Sequence, residues 1–474
     1  MKEININEFE EVKINEEIKE IKENEDNSKE KNILQNAFMG SFIIEVKNEG
    51  NFEQNEDKRE NVNDKGNLFD NSNKAKNKFS EILNYRKELN LSKKLKKFHL
   101  FNKECKNPSD EKIIYKLGKI LLFTYRKNFP KITNYNTKKT FSTDAWWGCM
   151  IRCGQMILSR GLYLMLKSKG LNTKSALYYT VPLFNEYPIK KNQLHPFFRG
   201  MIDKYNNIKS KDNNEYKIKE FFPPFCIKTL CDVGEIMERT AGEWFSDVII
   251  TKAFKKISEH FDLFKNPNFD VKILTFQSFI DMPTLLNECF IEKAKDPNND
   301  EYMHLNGKYY YFSKMGIVFV NVRLGLDKIP LEYYKGIKEL FQLKSCIGII
   351  GGKTRLAYYF IGYNADENSL LYLDPHITKD SDKEVTIDNI LDKYINKEIH
   401  LLKMNKMSTG FSIGFCFTKY KEFLELFHFW QKAEKDEKFT KILGLTKKDI
   451  NYVFSKENEE DISPTYIEKD EDDF

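Results

Sequence analysis

Between Gly316 and Cys416 the chain carries one β-forming run after another, and this constrains the fold more than any other feature. Ile317 to Val322, Cys346 to Ile350, Ala357 to Tyr363, Leu370 to Leu373 and Phe411 to Phe417 are rich in Ile, Val, Phe and Tyr, and the turn Asn364 to Asn368 joins two of them as a hairpin. Helical patterns flank them at Leu331 to Phe341, Thr386 to Tyr394 and Tyr420 to Trp430. Upstream the period changes. From Cys149 to Lys169, Met150, Cys153, Ile157, Leu158, Leu162 and Leu164 to Leu166 fall at helical spacings, and Gly170 follows as a stop. Ser246 stands as an N-cap before a second such run, ending near Phe261. A helical half followed by a strand-rich half predicts an α+β fold and argues against a doubly wound parallel sheet.

Composition sets the limits of that unit. Residues 1–95 run through Lys, Glu, Asn and Asp with few apolar residues between, too few to offset the entropy of ordering, and are expected to be a disordered extension. Residues 441–474 are expected to form an acidic, solvated tail. The intervening 96–440 holds enough Phe, Tyr, Leu and Ile for one large core or two coupled ones. A net charge of +5, set against 76 basic and 71 acidic side chains, comes with no basic stripe interleaved with aromatics, so nucleic acid is not an expected partner. Met1 to Glu17 lacks an apolar secretory core, and no stretch approaches the roughly 18–20 apolar residues that cross a bilayer. Eight cysteines without a framework of short spacings read as reduced thiols in the cytoplasm.

A free thiol can be a nucleophile. In Trp147-Gly148-Cys149-Met150, Gly148 permits a sharp entry and places Cys149 in the first turn of the following helix. Thiolate is favoured there by unpaired amides and the helix dipole, and the same amides can bind an oxyanion. Taken alone, the fragment reads equally well as a buried cysteine at a helix start. Cys153 lies one turn on, but no His or second Cys pair stands nearby, so neither metal nor cofactor is expected. Of seven histidines, His376 stands apart, in Tyr372-Leu373-Asp374-Pro375-His376 directly after an apolar run. Pro375 biases Asp374 to an extended backbone, where residues two apart share a face with Cα atoms roughly 6.6 Å apart. A carboxylate so placed can fix the imidazole tautomer and steady the imidazolium. A turn Asp-Pro with a bystander His is the alternative. Gly351-Gly352-Lys353-Thr354 imitates the end of a phosphate-binding loop, but the required earlier glycine is Ile347 and a strand follows where a helix should, so it reads as a turn between strands.

Together these residues resemble the autophagins, the cysteine proteases of autophagy. Four stretches carry the likeness, in the family's order: Phe123-Thr124-Tyr125-Arg126-Lys127-Asn128-Phe129-Pro130, Trp147 to Met156, Cys346 to Tyr363 and Tyr372 to His376. Gly242-Glu243-Trp244-Phe245 and Arg323-Leu324-Gly325-Leu326 echo it more weakly. The resemblance implies a papain-like fold, with Cys149 as nucleophile, His376 as general base and acid, and Asp374 as its orienting group. It also implies Tyr125 as an oxyanion-hole residue and Trp244 as the residue packed over a scissile glycine. The implied partner is the ubiquitin-like modifier of autophagy, free or lipid-conjugated, cleaved after a glycine near its C-terminus or released from phosphatidylethanolamine by a monomeric enzyme that touches membranes at most transiently. A non-catalytic adaptor for the modifier, or a protease for another ubiquitin-like tail, are the other readings. The chain departs from the pattern at Trp146, where the family usually has glycine, at Thr354-Arg355 in place of Pro-Asn, and at Ile377 in place of threonine. Phe79-Ser80-Glu81-Ile82 and Phe439-Thr440-Lys441-Ile442 have the spacing of short modifier-binding motifs.

Overall fold

A computed structural model describes residues 28–36, 42–46, 90–91, 97–105, 119–200, 216–260 and 269–435, apart from positions 297, 300, 306, 354, 387–389 and 396–397, together with 442, 444–445 and 453–454. Eleven segments of it build the site: β1 (Arg126–Thr133), α1 (Cys149–Ser168), α2 (Asp247–His260), β2 (Val271–Gln277), β3 (Met315–Arg323), β4 (Cys346–Lys353), β5 (Leu356–Asn364), β6 (Ser369–Leu373), β7 (Glu398–Lys403), β8 (Gly410–Phe417) and α3 (Tyr420–Lys435).

The β-forming runs become one sheet in the order β7-β6-β5-β4-β8-β3-β2, with Asn90–Leu91 beyond β7 and Phe98–Leu100 laid along β5. Neighbours from β7 to β3 are antiparallel, and β2 joins β3 in parallel, paired Met315 to Val271 through Asn321 to Gln277. Side chains alternate between two cores. Ile317, Phe319, Ile347, Tyr359 and Ile361 enter one cluster with α1, while Val318, Val320, Ile349, Tyr358 and Phe360 enter another with the helix Tyr333–Leu340 and α3. A sheet covered on both faces explains why its strands read as continuous apolar runs. The phosphate-loop look-alike is the β4–β5 hairpin, pairing Lys353 with Leu356.

Helix α1 is buried along nearly its whole length. Gly161 and Gly414 let it lie close to the sheet: a Cβ at Gly161 would meet Ile317 at 2.8 Å, and one at Gly414 would meet Ile157 at 2.6 Å. Ser246 caps α2 as expected, its Oγ accepting from the Ile249 amide at 3.2 Å.

Within the segment expected to be disordered, three pieces are structured, the strand Asn90–Leu91 beside β7 being one. Residues 28–36 form a helix whose Leu34 is buried in the α1 core and whose Glu30 pairs with Lys256 of α2. Phe42–Val46 forms a strand antiparallel to Tyr216–Phe221. Composition averaged over 95 residues hides short apolar pieces that a folded surface can order. Phe79 to Ile82 lies outside the described residues, and Ile442 of the other candidate motif is buried in the second core.

Candidate active site

The site forms where the start of α1 meets the chain leaving β6. Asp144 through Trp147 makes a tight turn, with the Trp147 and Gly148 amides donating to the Asp144 carbonyl at 3.2 and 2.8 Å. Cys149 is then the first residue of α1 and is fully buried. Gly148 is required by space: an added Cβ would sit 2.4 Å from Asp144 Oδ2.

His376 arrives from the sheet. The imidazole Nδ1 donates to Asp374 Oδ1 at 2.5 Å, and the His376 amide donates to the same oxygen at 3.0 Å, so an Asx turn across Pro375 brings carboxylate and ring together. With Nδ1 occupied, Nε2 is the free ring nitrogen, and it meets no hydrogen-bond partner among the described residues. Burial alone would lower the imidazole pKa. The hydrogen bond to Asp374, with the influence of nearby Cys149, outweighs it and pushes the value up to about 9. Burial works against ionised Asp374 as well, yet its bonds from His376 hold its pKa below the usual carboxylate value. Each partner therefore stabilises the charged form of the other.

Tyr125 closes the third side. Its amide donates to the Pro375 carbonyl at 2.9 Å, its carbonyl accepts from the Lys379 amide at 2.9 Å, and Lys379–Asp380 pairs in parallel with the start of β1. The ring stands edge-on to His376 at 5.5 Å, and the phenol is near enough to Cys149 to feel its charge. Burial first, then the charge on Cys149, drives the phenol pKa upward, so Tyr125 stays a neutral donor. Tyr358 packs on the ring at 5.6 Å. Cys153, one turn along α1, is held as a neutral thiol by burial and then by the charges of Cys149 and Asp374. All eight cysteines are free and buried.

Trp244 lies on the loop before α2 and is partly exposed. That loop is pinned beside the turn before Cys149. Gly242, at φ +86°, lies under the Phe141 ring, and Phe141 stands edge-on to Trp147 at 5.8 Å.

Pattern reading missed the scaffold beneath these residues. Arg152, 1% exposed, donates from Nε and Nη2 to the two Asp144 carboxylate oxygens at 2.9 and 3.1 Å, and from Nη1 to Gln155 at 2.9 Å and Glu186 at 2.5 Å. Asp144 also accepts from the Arg126 amide at 2.6 Å, and Glu186 from the Ile227 amide at 3.0 Å. The signal was present: an arginine on the apolar face of a buried helix needs a carboxylate partner.

Four other histidines pack or cap, among them His304, stacked on Tyr309 at 4.6 Å, and His400, against Tyr372 at 5.4 Å. His99 stacks on Tyr363 at 4.6 Å, and His195 Nδ1 accepts from the Phe197 amide at 3.3 Å. No group of three or more His, Cys, Asp and Glu among the described residues is arranged to hold a metal ion, and no helix among them is long and apolar enough to cross a membrane.

A thiol at a helix N-terminus and a carboxylate-held imidazole, mounted on an α+β scaffold, define the class: the protein is a cysteine protease. Comparison with known families narrows this. The peptidase C54 catalytic domain matches residues 110–429, and the chain belongs to that family, the autophagins. It is 25% identical to cysteine protease ATG4C of Xenopus laevis over 353 residues, covering 70% of this chain and 71% of the relative. It is 27% identical to human cysteine protease ATG4C over 374 residues, covering 72% and 76%, and 30% identical to cysteine protease ATG4D of Xenopus laevis over 272 residues, covering 53% of each.

Proposed function

We propose that the protein cleaves the ubiquitin-like modifier of autophagy after a glycine near its C-terminus, and frees the same modifier from phosphatidylethanolamine. What supports this is a buried Cys149 at the start of α1 and a His376 ring held by Asp374 with Nε2 free, within a peptidase C54 domain. Cys149 acts as nucleophile, His376 as base and then acid, Asp374 as the group that orients the ring, Tyr125 as an oxyanion donor and Trp244 as a cover for the scissile glycine.

The steps follow from the contacts. Nε2 takes the thiol proton, and sulfur attacks the glycyl carbonyl carbon. The oxygen that gains charge is met by the Tyr125 hydroxyl and amides of the first turn of α1. The C–N bond breaks, and the departing amine, a peptide N-terminus or a lipid ethanolamine, takes the proton from Nε2. Water then gives a proton to Nε2 and attacks the thioester. The C–S bond breaks, the glycine carboxylate departs and the thiol is restored. Throughout, Asp374 compensates the imidazolium.

Incubation with a candidate modifier precursor, followed by mass mapping of the product C-terminus, tests the assignment: cleavage directly after a glycine is expected. Cys149→Ser should retain binding and lose hydrolysis, and undiminished turnover by that variant would remove Cys149 from the chemistry. Selective labelling of Cys149 over the other seven cysteines by a thiol-directed probe separates the enzyme from a pure adaptor. Eight unpaired thiols support a reducing compartment, the cytoplasm.

A further inference from the structure

Trp146 occupies the third position of the turn Asp144 to Trp147, at φ +78°. A turn with a positive φ there favours glycine or asparagine, because a Cβ crowds the backbone. The indole is also 92% exposed, more than any other large apolar side chain noted on the described surface. A tryptophan that strains its backbone and buries nothing contributes nothing to the folded chain that glycine would not contribute at lower cost.

The backbone is held from beneath, whatever side chain stands at 146. The Asp144 carboxylate takes the Arg126 amide and the Arg152 guanidinium, Trp147 Nε1 donates to the Thr143 carbonyl at 3.1 Å, and the Gly148 amide closes the turn. The indole is thereby presented to solvent three residues before the nucleophile. Two other exposed apolar side chains flank the same chemistry: Ile377, directly after His376 and 56% exposed, and Trp244, on the loop tied through Gly242 and Phe141 to Trp147. The surface around a buried sulfur is thus apolar where a polypeptide must enter, the pattern of an aromatic anchor at a recognition surface.

We propose that Trp146 is a specificity-determining residue that packs on an apolar side chain of the substrate polypeptide beside the scissile bond. This rests on the peptidase reading above. Because the indole is offered before any bond changes, its contribution falls on substrate binding and leaves the proton transfers at His376 untouched.

The test measures KM and kcat of the full chain on a glycine-cleaved ubiquitin-like precursor, with melting temperatures, for the parent, Trp146→Gly and Trp146→Phe. Trp146→Gly should raise KM at least tenfold without lowering the melting temperature, since it removes both indole and strain. Trp146→Phe should restore KM to within about threefold of the parent by supplying another aromatic face. An unchanged KM in the glycine variant, a phenylalanine variant as weak as glycine, or a lower melting temperature in the glycine variant would each overturn the proposal. A parent that leaves the precursor uncut would instead overturn the function on which the proposal stands.

Discussion

Removing the Arg152 guanidinium should be the most damaging single change beneath the site. Arg152→Met keeps the volume and length of the stem but deletes four hydrogen bonds and the positive charge facing Asp144 and Glu186, carboxylates that are 0% and 5% exposed. Breaking a buried ion pair from one side leaves the other charge uncompensated and costs about 3–5 kcal/mol. At roughly 2–4 °C per kcal/mol, the melting temperature should fall on the order of 10 °C at neutral pH. The loss should also depend on pH, with a defined sign. Burial already raises the Glu186 pKa, with Arg152 as the main opposing influence. Without Arg152 the folded-state value climbs further above the unfolded one, so the folded variant binds more protons and its stability falls as pH rises. Denaturant titration at pH 7.5 and pH 5 should therefore give a larger deficit at the higher pH. A deficit below about 1 kcal/mol that is the same at both pH values would refute the assignment of Arg152 as the counter-charge. Arg152→Lys should fall between, restoring charge but not the two-pronged grip on Asp144.

Gly148→Ala drives a Cβ to 2.4 Å from Asp144 Oδ2, so the turn before Cys149 has to shift. A cost of about 1–3 kcal/mol with a slower reaction of Cys149 toward alkylating reagents is expected, and parent-like values for both would contradict the tight fit. Cys149→Ala removes one of the two partners that raise the His376 pKa, so an NMR titration of the ring should show it falling below about 9, and an unmoved midpoint would place the sulfur out of contact. In the parent, kcat/KM should decline as pH rises through about 9, because the leaving amine then lacks an imidazolium to protonate it. A profile flat to pH 10 would assign the acid elsewhere.

How much of this was legible depends on whether a residue's role is local. Asp374 and His376 are two residues apart, so their spacing predicts the contact found at 2.5 Å, although an Asx turn rather than an extended chain closes it. Helix α1 and strands β3 to β6 were equally visible, since burial on one stripe or on both faces writes a period or an unbroken apolar run into the sequence. Partners distant along the chain leave no such trace. Phe42 pairs with Phe221, Asp144 with Glu186 through Arg152, and Lys379 with Arg126, each across a separation that no periodicity spans.

Trp146 shows what a local rule gives when it is broken. Turn chemistry asks for glycine at that position, and the sequence supplies the largest side chain available, in a left-handed backbone and in solvent. A conflict between local preference and fold persists only where something outside the local energetics favours it. Beneath the turn, the Asp144 and Arg152 pair holds the backbone firmly enough to bear the strain. Above it the indole meets solvent. The same scaffold that holds the turn before Cys149 therefore makes tryptophan tolerable at 146, and the proposed role of the indole in substrate choice leans on one buried guanidinium.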